Sequence, residues 1–106
     1  MNSQMKQKTI NLLTICIKAG KVVKGYDTVK ENAYVGKVYC VLTACDASAK
    51  TVKEAAYICG ECGIKLFATE LTKSELEWLC GKPTAVIGIC DGGFAKAFGK
   101  FLDMPQ

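Results

Sequence analysis

Apolar residues recur every three or four positions near the start of the chain and form short uninterrupted runs further on. The first pattern predicts a helix over residues 4–19 that ends at Gly20. A short edge strand is predicted at Lys21–Lys24, and a second helix is predicted at residues 27–35, ending at Gly36. The first third of the chain therefore predicts the order helix, strand, helix.

Three apolar runs in the rest of the chain predict buried strands, each followed by a helical pattern. The strands are expected at residues 38–44, 64–68 and 84–90. The helices are expected at residues 48–62, capped by Asp46 or Ser48, at residues 72–79 with a capping box from Thr72 to Glu75, and at residues 92–102. Strands that alternate with helices indicate an α/β fold, a three-layer α/β/α sandwich.

Length and composition indicate a single ordered domain. A chain of 106 residues, half of them hydrophobic and only two of them proline, predicts one domain over residues 1–106. No uncharged apolar run approaches the roughly 20 residues that a membrane helix needs. The first residues also lack the pattern of a secretory signal. We therefore expect a cytoplasmic protein without a membrane partner.

Positive charge is concentrated in the N-terminal third. Residues 1–37 contain seven lysines and two acidic residues, a balance of +5, whereas residues 38–106 contain seven lysines and eight acidic residues, a balance of −1. This asymmetry favours an anionic partner on one face, with ordinary solubility charge as the alternative. All fourteen basic residues are lysines, which contact phosphates well but lack the planar fork that recognises guanine.

The seven cysteines are expected to be reduced, because the chain shows no export signal. Cys59 and Cys62 form a Cys-x-x-Cys pair at a predicted helix C-terminus, whereas a low thiol pKa requires the N-terminus. The sequence contains no histidine and no second such pair to complete a zinc site. The pattern predicts structural cysteines and no metal or cofactor, and a redox or metal protein is the least favoured alternative.

Catalytic motifs are weak in this sequence. The lack of histidine removes the commonest general base, and no Walker loop is present. Gly88-Ile89-Cys90-Asp91-Gly92-Gly93 ends a predicted strand and opens a helix, as in a phosphate-binding turn, but it lacks the third glycine at the dinucleotide spacing. A tight strand-to-helix turn is therefore the favoured interpretation. Trp78 and Leu79 are expected to pack in the core or at its edge. We predict that the protein is not an enzyme.

Several weak signals coincide between Lys21 and Glu31. This segment combines lysines, a permissive glycine, an aromatic residue at Tyr26 and the start of a helix that Asp27 or Thr28 could cap. A helix start presents backbone N–H groups and the positive end of the helix dipole, which favours phosphate binding. The negative charges of Asp27 and Glu31 oppose it. We predict that this turn is open to water and contacts a polyanion.

Six stretches, taken in order and spacing, carry a resemblance to a known family. They are Ala19-Gly20-Lys21-Val22-Val23 with Gly25, Gly36-Lys37, Ala44-Cys45-Asp46-Ala47-Ser48, Gly63-Ile64, Leu76 to Gly81, and Asp91-Gly92-Gly93-Phe94-Ala95-Lys96. Over about residues 8–102 the chain resembles the kink-turn RNA-binding ribosomal proteins of the L-seven-Ae or L-thirty-e type, and most of all their short bacterial members. The resemblance implies a mixed four-stranded sheet between helices.

The resemblance also implies that the start of the second helix enters the groove of a bent RNA stem. The family's glycine corresponds to Gly25, which allows close approach to the RNA backbone. The family positions that bind guanine edges, an Asn, a Glu and a Lys, are occupied here by Asp27, Thr28 and Glu31. Lys30 lies about 100° around the helix from Glu31 and is better placed for a phosphate. The family loop that packs on an extruded nucleotide corresponds to Gly81-Lys82-Pro83.

The expected function is therefore non-catalytic binding of structured RNA, kink-turn-like or bent-stem, in association with the ribosome and with ribosomal RNA as an expected partner. The candidate RNA-binding residues are Lys21, Lys24, Gly25, Tyr26, Asp27, Thr28, Lys30, Glu31 and Lys82. The alternative is a protein-interaction or assembly factor on the same scaffold with weak or no RNA binding. Salt dependence separates the two, because phosphate contacts weaken steeply with salt.

Overall fold

The computed structural model describes residues 3–102, so both ends of the predicted 1–106 domain lie outside the described residues. The elements, in chain order, are α1 (Ser3–Lys18), β1 (Val22–Lys24), α2 (Tyr26–Tyr34), β2 (Cys40–Thr43), α3 (Ala49–Cys62), β3 (Lys65–Ala68), α4 (Lys73–Cys80), β4 (Val86–Ile89) and α5 (Gly92–Leu102). This is the predicted order of elements. None of the helices in this range is long and apolar enough to cross a membrane.

The four strands form one mixed sheet in the order β1-β4-β2-β3. β4 runs antiparallel to both β1 and β2, with Ile89 opposite Val22 on one side and opposite Cys40 on the other. β2 and β3 are parallel and are joined by the α3 crossover, with Cys40 opposite Lys65. The edges of the sheet are therefore β1 and β3, and the mixed four-stranded sheet is confirmed.

Helices cover both faces of the sheet and create two apolar cores. On one face α1, α4 and α5 contribute buried residues that include Leu13, Leu76 and Phe98. On the other face α2 and α3 contribute buried residues that include Val29 and Ile58. Every residue of β2 and β4 is buried, as expected for strands covered on both faces. The three-layer α/β/α architecture is confirmed.

The starts of α3 and α4 show most of the predicted capping contacts. Ser48 caps α3, its Oγ accepting a backbone N–H at 3.1 Å. Asp46 instead accepts the backbone N–H of Lys73 at 2.8 Å, so it supports the start of α4. Thr72 and Glu75 form the predicted capping box of α4. The two alternatives for the α3 cap thus have separate structural roles.

The prediction that Trp78 packs in or beside the core is wrong, because its side chain is 83% exposed. α4 buries Leu76 and Cys80. Trp78 lies two residues from each of them, about 200° around the helix, and therefore points to solvent. Leu79 is partly buried against the core, as predicted.

Candidate functional site

The predicted basic turn lies where β1 ends and α2 begins, and it is fixed by hydrogen bonds to β4. The N–H of Gly25 donates to the carbonyl oxygen of Val86 and to Thr84 Oγ1, both at 3.0 Å. The carbonyl of Gly25 accepts the N–H of Val29 at 3.0 Å. The turn therefore joins the sheet edge to the first turn of α2 through a single residue.

Gly25 has φ 91° and ψ 148°, a backbone conformation that L-residues rarely adopt. This conformation takes the chain directly from strand to helix, so Gly25 itself is the N-cap and α2 begins at Tyr26. The prediction that Asp27 or Thr28 caps the helix is therefore wrong. Among the described residues no side chain caps α2, so its first N–H groups have no side-chain acceptor at the positive end of the helix.

Thr84 is a site residue that the sequence analysis missed. It is buried, and its hydroxyl donates to the carbonyl oxygen of Val86 at 2.7 Å while it accepts the Gly25 N–H. A threonine placed directly after a proline, at the entry to a buried strand, was the available signal. Short hydroxyl side chains at such positions commonly bond to nearby backbone groups.

The outer surface of α2 carries the side chains on which the resemblance depends. Asp27, Thr28, Lys30 and Glu31 are exposed, while Val29 is buried in the core. The outer face of α2 therefore carries one lysine and two carboxylates. A phosphate bound there would be attracted by the lysine and repelled by the carboxylates.

Tyr26 differs from its exposed neighbours on α2. It is half-buried and packs against the core under α2 and α3. Part of its ring is therefore committed to packing, which reduces the surface it can offer to an RNA base.

Lys24 ties β1 to the C-terminal end of α4. Its Nζ donates to the carbonyl oxygen of Cys80 at 3.2 Å, and the side chain is half-buried. Burial raises the pKa of the Cys80 thiol, and the charge of Lys24 partly offsets that rise. An ammonium has three donors, so this contact leaves Lys24 with further donors for a phosphate.

These bonds hold the loop at residues 81–83 beside the Gly25 turn. The residue before the loop, Cys80, is bonded to Lys24, and the residue after it, Thr84, is bonded to Gly25. Lys82 is exposed between these two attachments. The loop that the resemblance implicates in nucleotide packing is therefore anchored at both ends to the start of α2.

Lys21 precedes the opposite end of β1 and lies apart from Lys24, the Gly25 turn and the loop at residues 81–83. Its carbonyl oxygen accepts the N–H of Cys90 at 2.8 Å, and the charges of Lys21 and Lys37 act to lower the pKa of Cys90 against the effect of burial. A strand rises about 3.3 Å per residue, which puts Lys21 about 10 Å along the chain from Lys24. The lysines of the predicted basic turn are therefore divided between the two ends of β1.

The Cys-x-x-Cys pair does not resemble an activated thiol site. Cys59 is buried near the C-terminal end of α3, and burial raises the pKa of its thiol to about 11. Such a thiol is protonated near neutral pH and is a poor nucleophile. Over residues 3–102, no three histidine, cysteine or acidic side chains gather into a group that could hold a metal ion.

No protein-family model matches the chain. The RNA-binding protein YlxQ of Enterococcus faecium is 32% identical to it over 103 residues, which cover 97% of this chain and 99% of YlxQ. YlxQ is a protein of the L-seven-Ae type. This chain belongs to the L-seven-Ae-type family.

Two solved structures share the fold of this chain. A protein of unknown function from Bacillus halodurans C superposes with a TM-score of 0.82 and 26% identity, covering 90% of this chain and 96% of that one. The Giardia lamblia 15.5 kD RNA-binding protein superposes with a TM-score of 0.79 and 19% identity, covering 97% of this chain and 91% of that one. At 19% identity, the likeness to the Giardia lamblia protein shows a shared fold and no more.

Proposed function

We propose that this L-seven-Ae-type chain is a non-catalytic RNA-binding protein that holds a bent, structured RNA between the start of α2 and the loop at residues 81–83. The observation that carries the proposal is the anchoring of that loop to the Gly25 turn through Thr84 and Lys24. The name of its relative YlxQ supports RNA as the ligand. The proposed site of action is the cytoplasm, and ribosomal RNA is the proposed target.

The proposed contacts are to the RNA backbone more than to base edges. The uncapped first turn of α2 offers N–H groups to a phosphate, and Lys24, Lys30 and Lys82 offer charge. Ionised Asp27 can only accept hydrogen bonds, and Glu31 places a negative charge where the family pattern has lysine. We therefore expect shape recognition of a bent stem, with Gly25 at the point of closest approach.

The test is binding of a kink-turn RNA and of an unbent duplex of matched length, measured across a series of KCl concentrations. We expect the kink-turn RNA to bind more tightly and its affinity to fall steeply with salt. Lys24→Gln and Lys82→Gln keep a donor but remove the charge, and each should lower the slope of log affinity against log salt by about 0.7–0.9. Lys50→Gln on the exposed surface of α3 is the matched control and should leave the slope unchanged.

One observation favours protein interaction as a second candidate function. Trp78 is 83% exposed and borders a cleft of about 300 Å³ between α1 and α4. Exposed tryptophan is typical of protein interfaces. Failure to bind any folded RNA, or binding that does not respond to salt, would contradict the RNA proposal and favour this alternative.

A further inference from the structure

A second basic cleft lies at the β3 edge of the sheet, between α5, β3 and the start of β2. Its volume is about 410 Å³. Three lysines line it, Lys65 from β3 and Lys96 and Lys100 from α5, together with the aromatic rings of Tyr39 and Phe67. The L-seven-Ae-type site described above is at the opposite edge, because the strand order is β1-β4-β2-β3. The cleft is therefore separate from that site.

Strand and helix periodicity place these side chains together. Side chains alternate along β3, so Lys65 and Phe67 both point to the α5 face, while Leu66 packs in the opposite core. Lys96 and Lys100 are one helical turn apart and share a face of α5. Lys65, Lys96 and Lys100 are all exposed, whereas Phe67 is buried at the base of the cleft. The result is an apolar floor with a rim of ammonium groups.

Tyr39 supplies a positioned aromatic ring at this cleft. Its N–H donates to the carbonyl oxygen of Ile89 at 2.8 Å, which fixes the backbone just before β2. Its ring lies against the start of α5, since a Cβ at Gly92 would be 3.5 Å from Tyr39 Cδ2. The side chain is nevertheless 52% exposed. The ring therefore lies beside α5 and keeps about half of its surface open.

The charges that line the cleft have one sign. Within residues 3–102 no carboxylate is among the side chains that line it. Three ammonium groups attract an anion, and an open tyrosine ring favours stacking with a flat aromatic group. A volume of about 410 Å³ lies within the range of small-molecule sites. A ligand that combines a phosphate with an aromatic ring fits all three properties.

We propose that this cleft binds a nucleotide, with its phosphate on Lys96, Lys100 and Lys65 and its base against Tyr39. The same chemistry is offered by a free mononucleotide and by an unpaired nucleotide of an RNA chain. A base on Tyr39 contacts a ring that already packs beside the start of α5, which reduces the side-chain freedom lost on binding. This site is independent of the RNA-binding function proposed for the Gly25 turn.

The test is titration of the full chain, labelled with ¹⁵N, by adenosine 5′-monophosphate, adenosine, inorganic phosphate and a short single-stranded oligoadenylate. We expect saturable amide shifts at Tyr39, Lys96 and Gly99 with the monophosphate, and weaker binding of adenosine and of inorganic phosphate. Similar affinity per site for the oligonucleotide and the monophosphate would show that a free nucleotide makes all the contacts that the cleft requires. Much tighter oligonucleotide binding would identify an unpaired RNA segment.

Matched variants distinguish this cleft from general attraction between charges. The Tyr39→Ala protein should bind the monophosphate at least about fivefold more weakly, the lower bound for loss of one stacking contact. The Lys96→Ala/Lys100→Ala protein should also bind it more weakly, because two of the three ammonium groups are removed. The controls Lys50→Ala/Lys53→Ala and Tyr57→Ala make the same changes on exposed positions of α3 and should bind like the unmodified chain. Circular dichroism establishes that each variant is folded.

Three results would overturn the proposal. The first is the absence of shifts at the cleft with every probe. The second is equal affinity for inorganic phosphate and the monophosphate, which would mean that the base makes no contact. The third is equal weakening by the cleft variants and the α3 controls, which would mean that only net charge matters.

Discussion

At the scale of single residues, the candidate site depends on backbone conformation more than on its charged side chains. Gly25 adopts φ 91° and is bonded to both Thr84 and Val86. Space does not restrict this position, since a Cβ there would meet nothing within 4 Å. The requirement for glycine therefore comes from the backbone conformation itself. A side chain at this position would strain that conformation or shift it to another one.

We expect Gly25→Ala to lower the free energy of unfolding by about 1–3 kcal/mol, the usual cost of a non-glycine residue in a rare backbone region. Gly60→Ala is the matched control, because Gly60 lies in α3 with open space around it and no positive φ. It should raise stability by up to about 1 kcal/mol, since alanine favours helix. Urea unfolding of both variants is the measurement, and equal effects would contradict the role of backbone conformation at Gly25.

At the scale of elements, the position of β1 depends on its packing across β4. β1 has only three residues, and a Cβ added at Gly88 of β4 would lie 2.8 Å from Val23 Cγ2 and 3.2 Å from Val38 Cγ2. Because Gly88 has no side chain, the side chain of Val23 on the neighbouring strand can occupy the space above it. Because β1 leads into the Gly25 turn, this contact also positions the start of α2.

We expect Gly88→Ala to destabilise the protein by about 1–3 kcal/mol through overpacking against Val23. Val23→Ala removes the methyl groups that the new side chain would meet. In the double variant the combined loss should be smaller than the sum of the single losses by about 0.5 kcal/mol or more. A double-mutant cycle of denaturant unfolding measures this, and strict additivity would show that Val23 is not the obstacle.

At the scale of the whole molecule, the two cores share the central strands and should unfold as one unit. Burial raises the pKa of the thiols of Cys16 and Cys40 to about 11 and about 12, and that of Cys59, on the opposite face, to about 11. Cys45, by contrast, is exposed.

We expect alkylation near neutral pH to label Cys45 in the native protein and to spare Cys16, Cys40 and Cys59 until global unfolding. Their raised pKa values and their burial both suppress the reactive thiolate. Labelling at increasing urea, followed by mass spectrometry, should show the three buried cysteines becoming reactive together. Reaction of Cys59 well before Cys16 would mean that the two faces unfold separately.

Local patterns along the chain were sufficient to predict the order of elements and the three-layer fold. Helical periodicity, glycine helix ends and the capping box at Thr72 depend on near neighbours in the sequence, so they can be read without a structure. The segment containing Gly25 was predicted as a turn for the same reason. Membership of the L-seven-Ae-type family was likewise predictable, because the matching stretches are spread over most of the chain.

Only the tertiary structure decided which groups meet. Thr84 and the carbonyl of Cys80 are more than fifty residues from the Gly25 turn, and they reach it because β4 pairs with β1. Lys21 is left at the far end of β1, and the packing of α5 against β3 gathers Lys65 and Lys96 at the opposite edge of the sheet. Side-chain chemistry is local, but a site requires distant segments to meet, and strand pairing together with helix packing determines which segments do so.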